Sequence, residues 1–395
     1  MNMKKYKLGD LLFEFHAGKA IQTENIKNKG AYPVYGGNGQ RGYTNSYNQN
    51  GEYLIIGRQG AYCGNVRYNI GKAYLTEHAI VGQAKENHNP IYIALKLSLM
   101  NLSQLQGQSA QPGLSVNTLS CISMEMPPKE IQDKIADIML KLDRKIELNR
   151  QINDNLEAMA KQLYDYWFVQ FDFPNEEGKP YKSSGGAMVW NDKLKREIPQ
   201  RWHCGTLLDI AEYTNGLACQ KYRPTDNNKL PVIKIKEMHD GLSADTEWVK
   251  ADIPDDVKVF DGDVLFSWSA SLEVMLWAYG NGGLNQHIFK VTSKNGYPRS
   301  FYFYQLIHYV GVFKQIAEAR KTTMGHITQD HLRQSTIALP PNIDVANKLE
   351  EKLCPIFDAI VKNNQEIMAL TKQRDELLPL LMNGQASVNY HLSAC

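Results

Sequence analysis

Residues 127–168, PPKEIQDKIADIMLKLDRKIELNRQINDNLEAMAKQLYDYWF, contain the clearest structural pattern of this chain. Two prolines, which a first helical turn tolerates, are followed by apolar side chains that recur at spacings of three and four. This spacing predicts one long helix from about residue 129 to 166, with a narrow apolar stripe that needs a partner to cover it. The predicted stripe consists of Ile131, Ile135, Ile138, Leu142, Ile146, Asn149, Ile152, Leu156, Met159 and Leu163.

A second stretch of the same kind follows Pro340-Pro341 and predicts another long helix over about residues 343–382. Pro355 lies inside it, and we expect this proline to kink the helix or to separate its first segment. Because neither stripe can be buried alone, the sequence favours antiparallel packing of the two helices on each other. The predicted stripe of the second helix consists of Leu353, Ile356, Ile360, Asn364 and Ile367.

Asn149 and Asn364 stand at matching positions of the two stripes. A polar residue in such a stripe costs stability and can fix the register of two helices. The alternative is a solvated position at the edge of the stripe. The sequence leaves both interpretations open.

Both helices belong to an internal repeat, in which residues 1–168 and 201–384 are two weakly similar copies of one plan. Gly51-Glu52-Tyr53-Leu54 resembles Gly262-Asp263-Val264-Leu265, and Glu77-His78-Ala79-Ile80 resembles Gln286-His287-Ile288-Phe289. A module carried twice, each time ending in a long helix, is suited to contact two similar objects at a fixed separation.

Composition limits the class of protein. A length of 395 residues with 43% hydrophobic content is enough for two domains. The net charge of +2, from 44 basic and 42 acidic residues, gives no support for bulk electrostatic binding of nucleic acid, although a local basic patch is compatible with it. Six scattered cysteines without a CxxC pair, no long apolar run and no signal-peptide pattern indicate reduced thiols and a cytoplasmic location.

We therefore predict an α+β fold with two similar mixed α/β domains, separated by two long antiparallel helices that form a coiled-coil spacer. The repeat gives this arrangement a pseudo-two-fold character. Short strands are predicted at 53–56, 79–81, 231–236, 264–268 and 287–291, and further helices at 91–105 and 301–318. The predicted segments are a first domain at 1–126, a first spacer helix at 127–168, a polar linker at 169–200, a second domain at 201–339, a second spacer helix at 340–384 and a tail at 385–395.

No pattern of catalytic residues is found. Residues 37–42, GNGQRG, match the glycine pattern of dinucleotide-binding sites, but the residues after them are poor helix formers, so the pattern favours a loop between strands. Asp261, Asp263 and Glu273 flank a predicted strand without a nearby lysine and are interpreted as loop caps. No P-loop, GxSxG or HExxH motif is present, and we predict a protein that is not an enzyme and binds no metal.

Several stretches resemble the DNA-specificity (S) subunits of Type I restriction–modification systems. Residues 54–62 and 262–269 are similar to a segment of that family's target-recognition domains. Residues 166–173, followed by 198–202, resemble its junction between first spacer helix and second domain, and residues 376–385 resemble its C-terminal end. The order and spacing of these segments span nearly the whole chain.

The resemblance implies a non-catalytic, sequence-specific DNA-binding subunit whose two recognition domains each read one half of a bipartite target. It also implies that the chain docks two modification (methyltransferase) subunits, which supply S-adenosylmethionine, and restriction (motor-nuclease) subunits. We expect no cofactor on this chain itself. Lengthening both helices should change the number of unspecified base pairs between the half-sites and leave the half-site sequences unchanged.

The residues suited to DNA contact are Arg and Lys for guanine, Gln for adenine, and other basic or hydroxyl groups for phosphate. His78 and His287, at matching repeat positions, are either DNA contacts or histidines that support a strand start. The predicted DNA-binding set is Lys19, Gln22, Gln40, Arg41, Arg58 and Gln59 in the first domain, and Lys221, Tyr222, Arg223, Lys234, Lys236, Trp268, Ser269, Arg320, Lys321 and His326 in the second.

An alternative function of a different class is a two-headed coiled-coil scaffold that binds two copies of a protein without DNA specificity. The small net charge favours it slightly. The loops rich in arginine and glutamine, and the family resemblance, oppose it.

Overall fold

The structure, a computed structural model, describes residues 3–106, 113–269, 271–319 and 327–386. The chain divides into two compact units: unit 1 is residues 1–144 with 370–395, and unit 2 is residues 145–369. Each unit takes one part of each long helix.

Unit 1 is built around a four-stranded antiparallel sheet in the order β2-β8-β5-β6. A three-stranded sheet, β4-β3-β7, and the pair β1-β9 complete it. The strands are β1 (Lys4–Lys7), β2 (Leu12–Ala17), β3 (Tyr32–Gly36), β4 (Gly39–Thr44), β5 (Glu52–Gly57), β6 (Val66–Ile70), β7 (Tyr74–Leu75), β8 (Ala79–Ala84) and β9 (Ser123–Met126). The helices are α1 (Leu8–Leu11), α2 (Pro90–Ser98) and α3 (Val116–Ser120), with 3-10 turns at Thr23–Asn25 and Leu102–Leu105.

The central strand β5 is buried on both faces of the sheet. Successive side chains of a strand point to opposite sides, so its residues alternate between two cores. Leu54 and Ile56 pack into the core that contains α2, whereas Tyr53 and Ile55 pack into a smaller core on the other face. This explains why β5 reads as a continuous apolar run with no polar alternation.

The first long helix, α4 (Lys129–Tyr164), ends in a π-helical turn at Asp165–Val169. The segment predicted as a polar linker folds onto unit 2 and includes the hairpin of β10 (Met188–Asn191) and β11 (Arg196–Pro199). Phe168, Phe171, Phe173 and Trp202 are buried there, with ring centroids of the three phenylalanines 5.3–5.9 Å from that of Trp202. Aromatic packing therefore orders a segment whose glycines, prolines and serines indicated a linker.

Unit 2 repeats the plan of unit 1. Its four-stranded antiparallel sheet has the order β13-β20-β17-β18, a second sheet has the order β15-β14-β19-β16, and β12 pairs with β21. The strands are β12 (His203–Thr206), β13 (Ala211–Asn215), β14 (Lys229–Ile233), β15 (Trp248–Lys250), β16 (Lys258–Val259), β17 (Val264–Ser267), β18 (Glu273–Leu276), β19 (Gly282–Leu284), β20 (Ile288–Ser293) and β21 (Thr336–Leu339). The helices are α5 (Leu207–Ile210), α6 (Ile235–Asp240), α7 (Arg299–Ala319), α8 (Gln329–Gln334) and the second long helix α9 (Asp344–Met382), with 3-10 turns at Cys219–Lys221 and Asp255–Val257.

The strand faces confirm the internal repeat and correct its register by one residue. Val264 and Phe266 face the core with the helix α7, as Leu54 and Ile56 face α2, while Leu265 faces the opposite core. Leu54 therefore matches Val264, and the resemblance of Gly51-Glu52-Tyr53-Leu54 to Gly262-Asp263-Val264-Leu265 is displaced by one position. A slip of one residue would turn every side chain of the strand to the wrong face.

Within unit 2 the two long helices run antiparallel and share a buried seam. Ile146, Asn149, Asn153 and Ala160 are buried on α4, and Leu349, Leu353, Phe357 and Ile360 on α9. Asn153 Nδ2 donates to Asn364 Oδ1 at 2.8 Å, and Asn363 Nδ2 donates to Asn153 Oδ1 at 2.8 Å. Asn149 Nδ2 donates to Glu366 Oε2 at 2.9 Å, and Lys145 forms an ion pair with the same carboxylate.

Most of the predicted seam lies at this contact, but two positions are wrong. Ile152 is 39% exposed and Met159 is 51% exposed, whereas the neighbouring Asn153 is only 5% exposed. Spacings of three and four residues both place side chains on one face of a helix. In the packed helix pair that face contains Asn149, Asn153 and Leu156, and Ile152 lies outside it. Leu156, Ile356, Asn364 and Ile367 are half-buried.

Pro355 does not divide the second helix, which continues from Asp344 to Met382. The predicted separation of a first segment is therefore wrong. Pro355 and Glu351, whose carbonyl loses its helical partner, are both exposed. Water can solvate that carbonyl on the outer face of the helix, which makes the proline tolerable there.

Unit 1 contains its own part of the helix pair. Ile135 and Met139 are buried with Leu381, and Ile138 and Leu142 pack at the edge of the same core. Asp143 accepts hydrogen bonds from Tyr68 Oη at 2.5 Å and from Arg374 Nη1 at 3.0 Å. This contact connects β6 with both helices of the unit.

Candidate nucleic-acid interface

The strands β2, β5 and β8 of unit 1 bring three loops together at one end of the sheet. The amide of Arg58 donates to His78 O at 2.9 Å, and Leu114 N donates to Arg58 O at 2.9 Å. The amide of Gly18 donates to Ala79 O at 2.9 Å. We call Gly18, Lys19, Arg58, Gln59, Glu77 and His78 the strand-end surface of unit 1.

The polar side chains of this surface contact one another. Gln59 Oε1 lies 3.2 Å from His78 Nδ1, and His78 Nε2 lies 3.3 Å from Glu77 Oε1. Arg58 Nη1 donates to Glu77 O at 3.4 Å. Arg58, Gln59 and His78 are half-exposed and Lys19 is exposed, so each can reach a bound molecule.

The glycine-rich stretch that resembles a dinucleotide motif forms the β3–β4 hairpin beside this surface, as the loop interpretation predicted. A Cβ at Gly37 would lie 3.1 Å from both Gln59 O and His78 O. The glycine thus lets the hairpin turn pack closely on the strand ends. Arg41 is exposed and its stem passes over Gly36, and Gln40 is exposed on β4.

Unit 2 holds the matching backbone arrangement. The amide of Trp268 donates to His287 O at 3.4 Å, and Ile327 N donates to Trp268 O at 3.1 Å. Gly216 N donates to Ile288 O at 3.1 Å, as Gly18 does to Ala79 O. We call Asn215, Gly216, Trp268 and His287 the strand-end surface of unit 2.

The side chains at these matching positions differ between the units. Where unit 1 has the cation of Arg58, unit 2 has the indole of Trp268, whose Nε1 donates to Asn215 Oδ1 at 3.1 Å and whose ring centroid lies 5.8 Å from that of His287. Ser269 is buried, 6% exposed, and offers little surface to DNA. The two units thus share a backbone arrangement but have side chains of different chemistry at matching positions.

Among the remaining predicted basic residues of unit 2 that the structure describes, two lie next to acidic side chains. Lys221 and Arg223 are exposed, and Tyr222 lies beneath Lys250, whose Nζ is 5.6 Å from the ring centroid. Lys234 forms an ion pair with Glu247, and Lys236 Nζ lies 3.8 Å from Asp245 Oδ2. The hydrogen bond and charge of Lys234, with a smaller effect of Arg223, lower the pKa of Glu247, so Lys234 is already partly neutralised.

Three predicted residues, Arg320, Lys321 and His326, lie outside the described residues. Glu77 and Asn215 belong to the strand-end surfaces and were missed, because neither follows a basic or glycine-rich pattern. Asp263, interpreted as a loop cap without a lysine, does accept from Phe260 N at 2.8 Å, but it also pairs with Lys290 Nζ at 2.9 Å. The sheet brings that lysine from β20, which sequence spacing does not reveal.

The sequence matches the family described as Type I restriction modification DNA specificity domain, over residues 1–158 and 199–373. The chain belongs to this family. It is 26% identical to the Type I restriction enzyme MjaIX specificity subunit of Methanocaldococcus jannaschii, over 88% of this chain and 84% of that protein. A segment is 41% identical to the EcoprrI specificity subunit of Escherichia coli, over 35% of this chain and 36% of that protein.

The fold is also that of a solved member. The crystal structure of the Type I restriction–modification S subunit from M. genitalium matches with a TM-score of 0.65 at 14% identity, over 96% of both chains. The predicted fold class, with two similar domains and two long helices, is confirmed. As a Type I specificity protein the chain recognises a bipartite DNA target and is not itself an enzyme, so the scaffold alternative is not favoured.

Two further features concern the part of this specificity protein that the structure describes. None of the helices in that part is long and apolar enough to cross a membrane. Within the same residues, no group of three His, Cys, Asp or Glu side chains is arranged to hold a metal ion.

Proposed function

We propose that each unit reads one DNA half-site with its strand-end surface. The observation that carries this proposal is the repeated backbone frame, in which Arg58 and Trp268 are held by matching hydrogen bonds at matching strand ends. Two equal frames with unequal side chains suit a protein that reads two different short sequences. The assignment of individual residues to bases rests on this geometry and on side-chain chemistry.

Arg58 is the strongest candidate for base readout in unit 1. A guanidinium can donate two hydrogen bonds to guanine O6 and N7, and a glutamine amide can pair with adenine N6 and N7. Arg58 donates to the main-chain oxygen of Glu77, and the Glu77 carboxylate lies against His78. A carboxylate would repel a phosphate but can accept from cytosine N4. The mixed charge of this surface therefore favours base edges over the DNA backbone.

The partners and cofactor of the complex follow from the family. In a Type I complex, adenine methylation would come from two modification subunits carrying S-adenosylmethionine, and cleavage from restriction subunits. The long helices are the proposed place of docking, and the cytoplasm, where host DNA is accessible, is the proposed location.

Mapping of methylated adenines in host DNA tests this function. We expect one bipartite motif to be methylated with the chain present and unmethylated without it. In the Arg58→Ala variant we expect relaxed or lost recognition in one half-site only, with a discrimination loss of about 1–3 kcal/mol. Arg201→Ala, which removes an exposed arginine between β11 and β12 and outside both long helices, is the matched control and should leave the motif unchanged. Equal weakening on all DNA would make Arg58 a phosphate contact.

A further inference from the structure

A polar cleft of about 540 Å³ lies in unit 1 beside the 3-10 turn Thr23–Asn25. Its lining includes two lysines together with amide and hydroxyl side chains: Lys27, Lys29, Gln22, Asn25, Asn45 and Ser46. No acidic residue lines it. Such a set offers hydrogen-bond donors and positive charge, which is the chemistry that an anion with several oxygens requires.

The two lysines are available to a ligand. Among the described residues, neither Lys27 nor Lys29 has an ion-pair partner, and both are exposed. In unit 2, by contrast, Lys234 and Lys236 lie next to acidic side chains. Within the described residues, no acidic side chain therefore forms an ion pair with the lysines of the cleft.

The walls of the cleft are held by backbone contacts. Lys27 and Tyr43 exchange two backbone hydrogen bonds of 2.8 Å, and Tyr74 Oη donates to Ala20 O at 3.0 Å. The strand β4 thus fixes one lysine, and β7 fixes the segment that carries Gln22. A site whose frame is fixed loses little entropy when it binds.

The cleft and the strand-end surface of unit 1 are connected by consecutive residues of the chain. Ala20 lines the cleft, Lys19 N donates to Leu75 O, and Gly18 N donates to Ala79 O, next to His78. Three residues of extended chain span about 10 Å. This distance corresponds to about three base-pair steps of a duplex, so one DNA molecule can touch both places.

We propose that this cleft binds the phosphodiester backbone of the DNA beside the first half-site. The proposal rests on the proposed function and adds to it a division of labour. The strand-end surface, with its carboxylate, contacts bases, whereas the acid-free cleft contacts phosphates and sets the affinity without reading sequence.

Salt-dependent DNA binding by the full chain tests the cleft. Each phosphate contact contributes about 0.9 to the slope of log K against log salt concentration. For the Lys27→Ala/Lys29→Ala variant we expect this slope to be shallower by about 2. We also expect its affinity to fall by a similar factor for three duplexes: the target, a target altered in the first half-site, and an unrelated sequence. Lys27→Arg/Lys29→Arg keeps the charge and should keep the slope. Lys4→Ala/Lys5→Ala removes two exposed charges from β1 and should also keep it.

The outcomes separate this proposal from the function on which it rests. A wild-type chain that fails to discriminate target from unrelated DNA would contradict the proposed function. A wild-type chain that discriminates, together with an unchanged slope in the double alanine variant, would overturn the cleft alone. Loss of half-site discrimination in that variant would also overturn it, because the lysines would then read bases. Retention of the slope in the arginine variant excludes a folding defect as the cause.

Discussion

Gly18 and Gly216 occupy matching positions in the two units, directly after the edge strands β2 and β13. At each position the chain packs against the residues that precede the neighbouring strand, β8 or β20. A Cβ at Gly18 would lie 2.4 Å from both Leu75 O and Thr76 O, and one at Gly216 would lie 2.3 Å from Asn285 O. Real Cβ atoms do not approach backbone oxygens so closely. At both places the absence of a side chain allows the loop to reach the strand ends.

We therefore expect Gly18→Ala to lower the free energy of unfolding by about 2–3 kcal/mol, because the loop must move away from the strands. Gly311→Ala is the matched control: Gly311 is exposed in α7 with no atom near its Cβ position, and alanine there should stabilise by up to about 1 kcal/mol. Urea unfolding measures both. Equal effects of the two substitutions would contradict the close approach.

Single residues also show how far the sequence predicts the site. Arg58 and Gln59 were found because arginine and glutamine in a glycine-rich loop suit base contact, and the structure places both at a strand end. Ser269 satisfied a similar pattern and is buried. Glu77, Lys27 and Lys29 were missed because strand pairing, which joins residues distant in sequence, decides which loops meet.

At the scale of elements, the buried asparagine group on the helix pair of unit 2 is the feature with the clearest energetic consequence. Asn153 is 5% exposed and forms side-chain hydrogen bonds with both Asn363 and Asn364. Removing the buried member of a hydrogen-bonded group leaves a donor or an acceptor of its partners unsatisfied. Such a group favours one register of the two helices, since any shift would separate the partners.

Asn153→Ala should therefore lower the free energy of unfolding by about 1–3 kcal/mol. The control is the adjacent Ile152→Ala, which we expect to change it by less, since Ile152 lies on the outer face. In the Asn153→Leu/Asn363→Leu/Asn364→Leu variant, part of the loss should return, because all three members of the polar group are replaced by apolar groups. Thermal unfolding followed by circular dichroism is the measurement, and a larger loss for Ile152→Ala would refute this seam.

The same helix pair predicts a dependence on acid. Hydrogen bonds from Lys145 and then Asn149 lower the pKa of Glu366 from its usual 4.5. A folded-state pKa below the unfolded value gives stability that is complete above pH 4.5 and is lost as the pH falls through the lowered value. In Glu366→Gln the melting temperature should fall less steeply over this acidic range than in the wild type. Glu351→Gln, an exposed change on the same helix, should follow the wild-type curve.

The helices were the most predictable elements, and the details of their contact the least. Their bounds were predicted within a few residues because apolar side chains recur over 36 and 39 residues. The choice between Ile152 and Asn153 depends on a partner helix that the sequence does not place. The ordered segment after α4 was read as a linker because its aromatic residues stand among turn formers.

At the scale of the whole molecule, the spacer hypothesis concerns the number of unspecified base pairs between the half-sites. Seven residues inserted into both α4 and α9 would lengthen each helix by about 10 Å and keep its apolar stripe nearly in phase. At 3.4 Å per base pair we expect the gap to grow by about three base pairs, with both half-site sequences unchanged. Methylation mapping reads this directly.

The control for this prediction is an insertion of the same length in the turn between β10 and β11, outside both helices. It should leave the gap as it is. An unchanged gap after lengthening both helices would show that something other than helix length sets the distance between the half-sites.

The hydrogen bonds that are common to Arg58 and Trp268 come from main-chain atoms, whereas the bonds of their side chains differ between the units. An arginine in one unit and a tryptophan in the other already show that this frame accepts very different chemistry. Under the proposed function, a substitution at either position would change the half-site that the protein recognises, while the main-chain frame that positions the side chain stays in place. A single codon change could thus give a new specificity without a new fold.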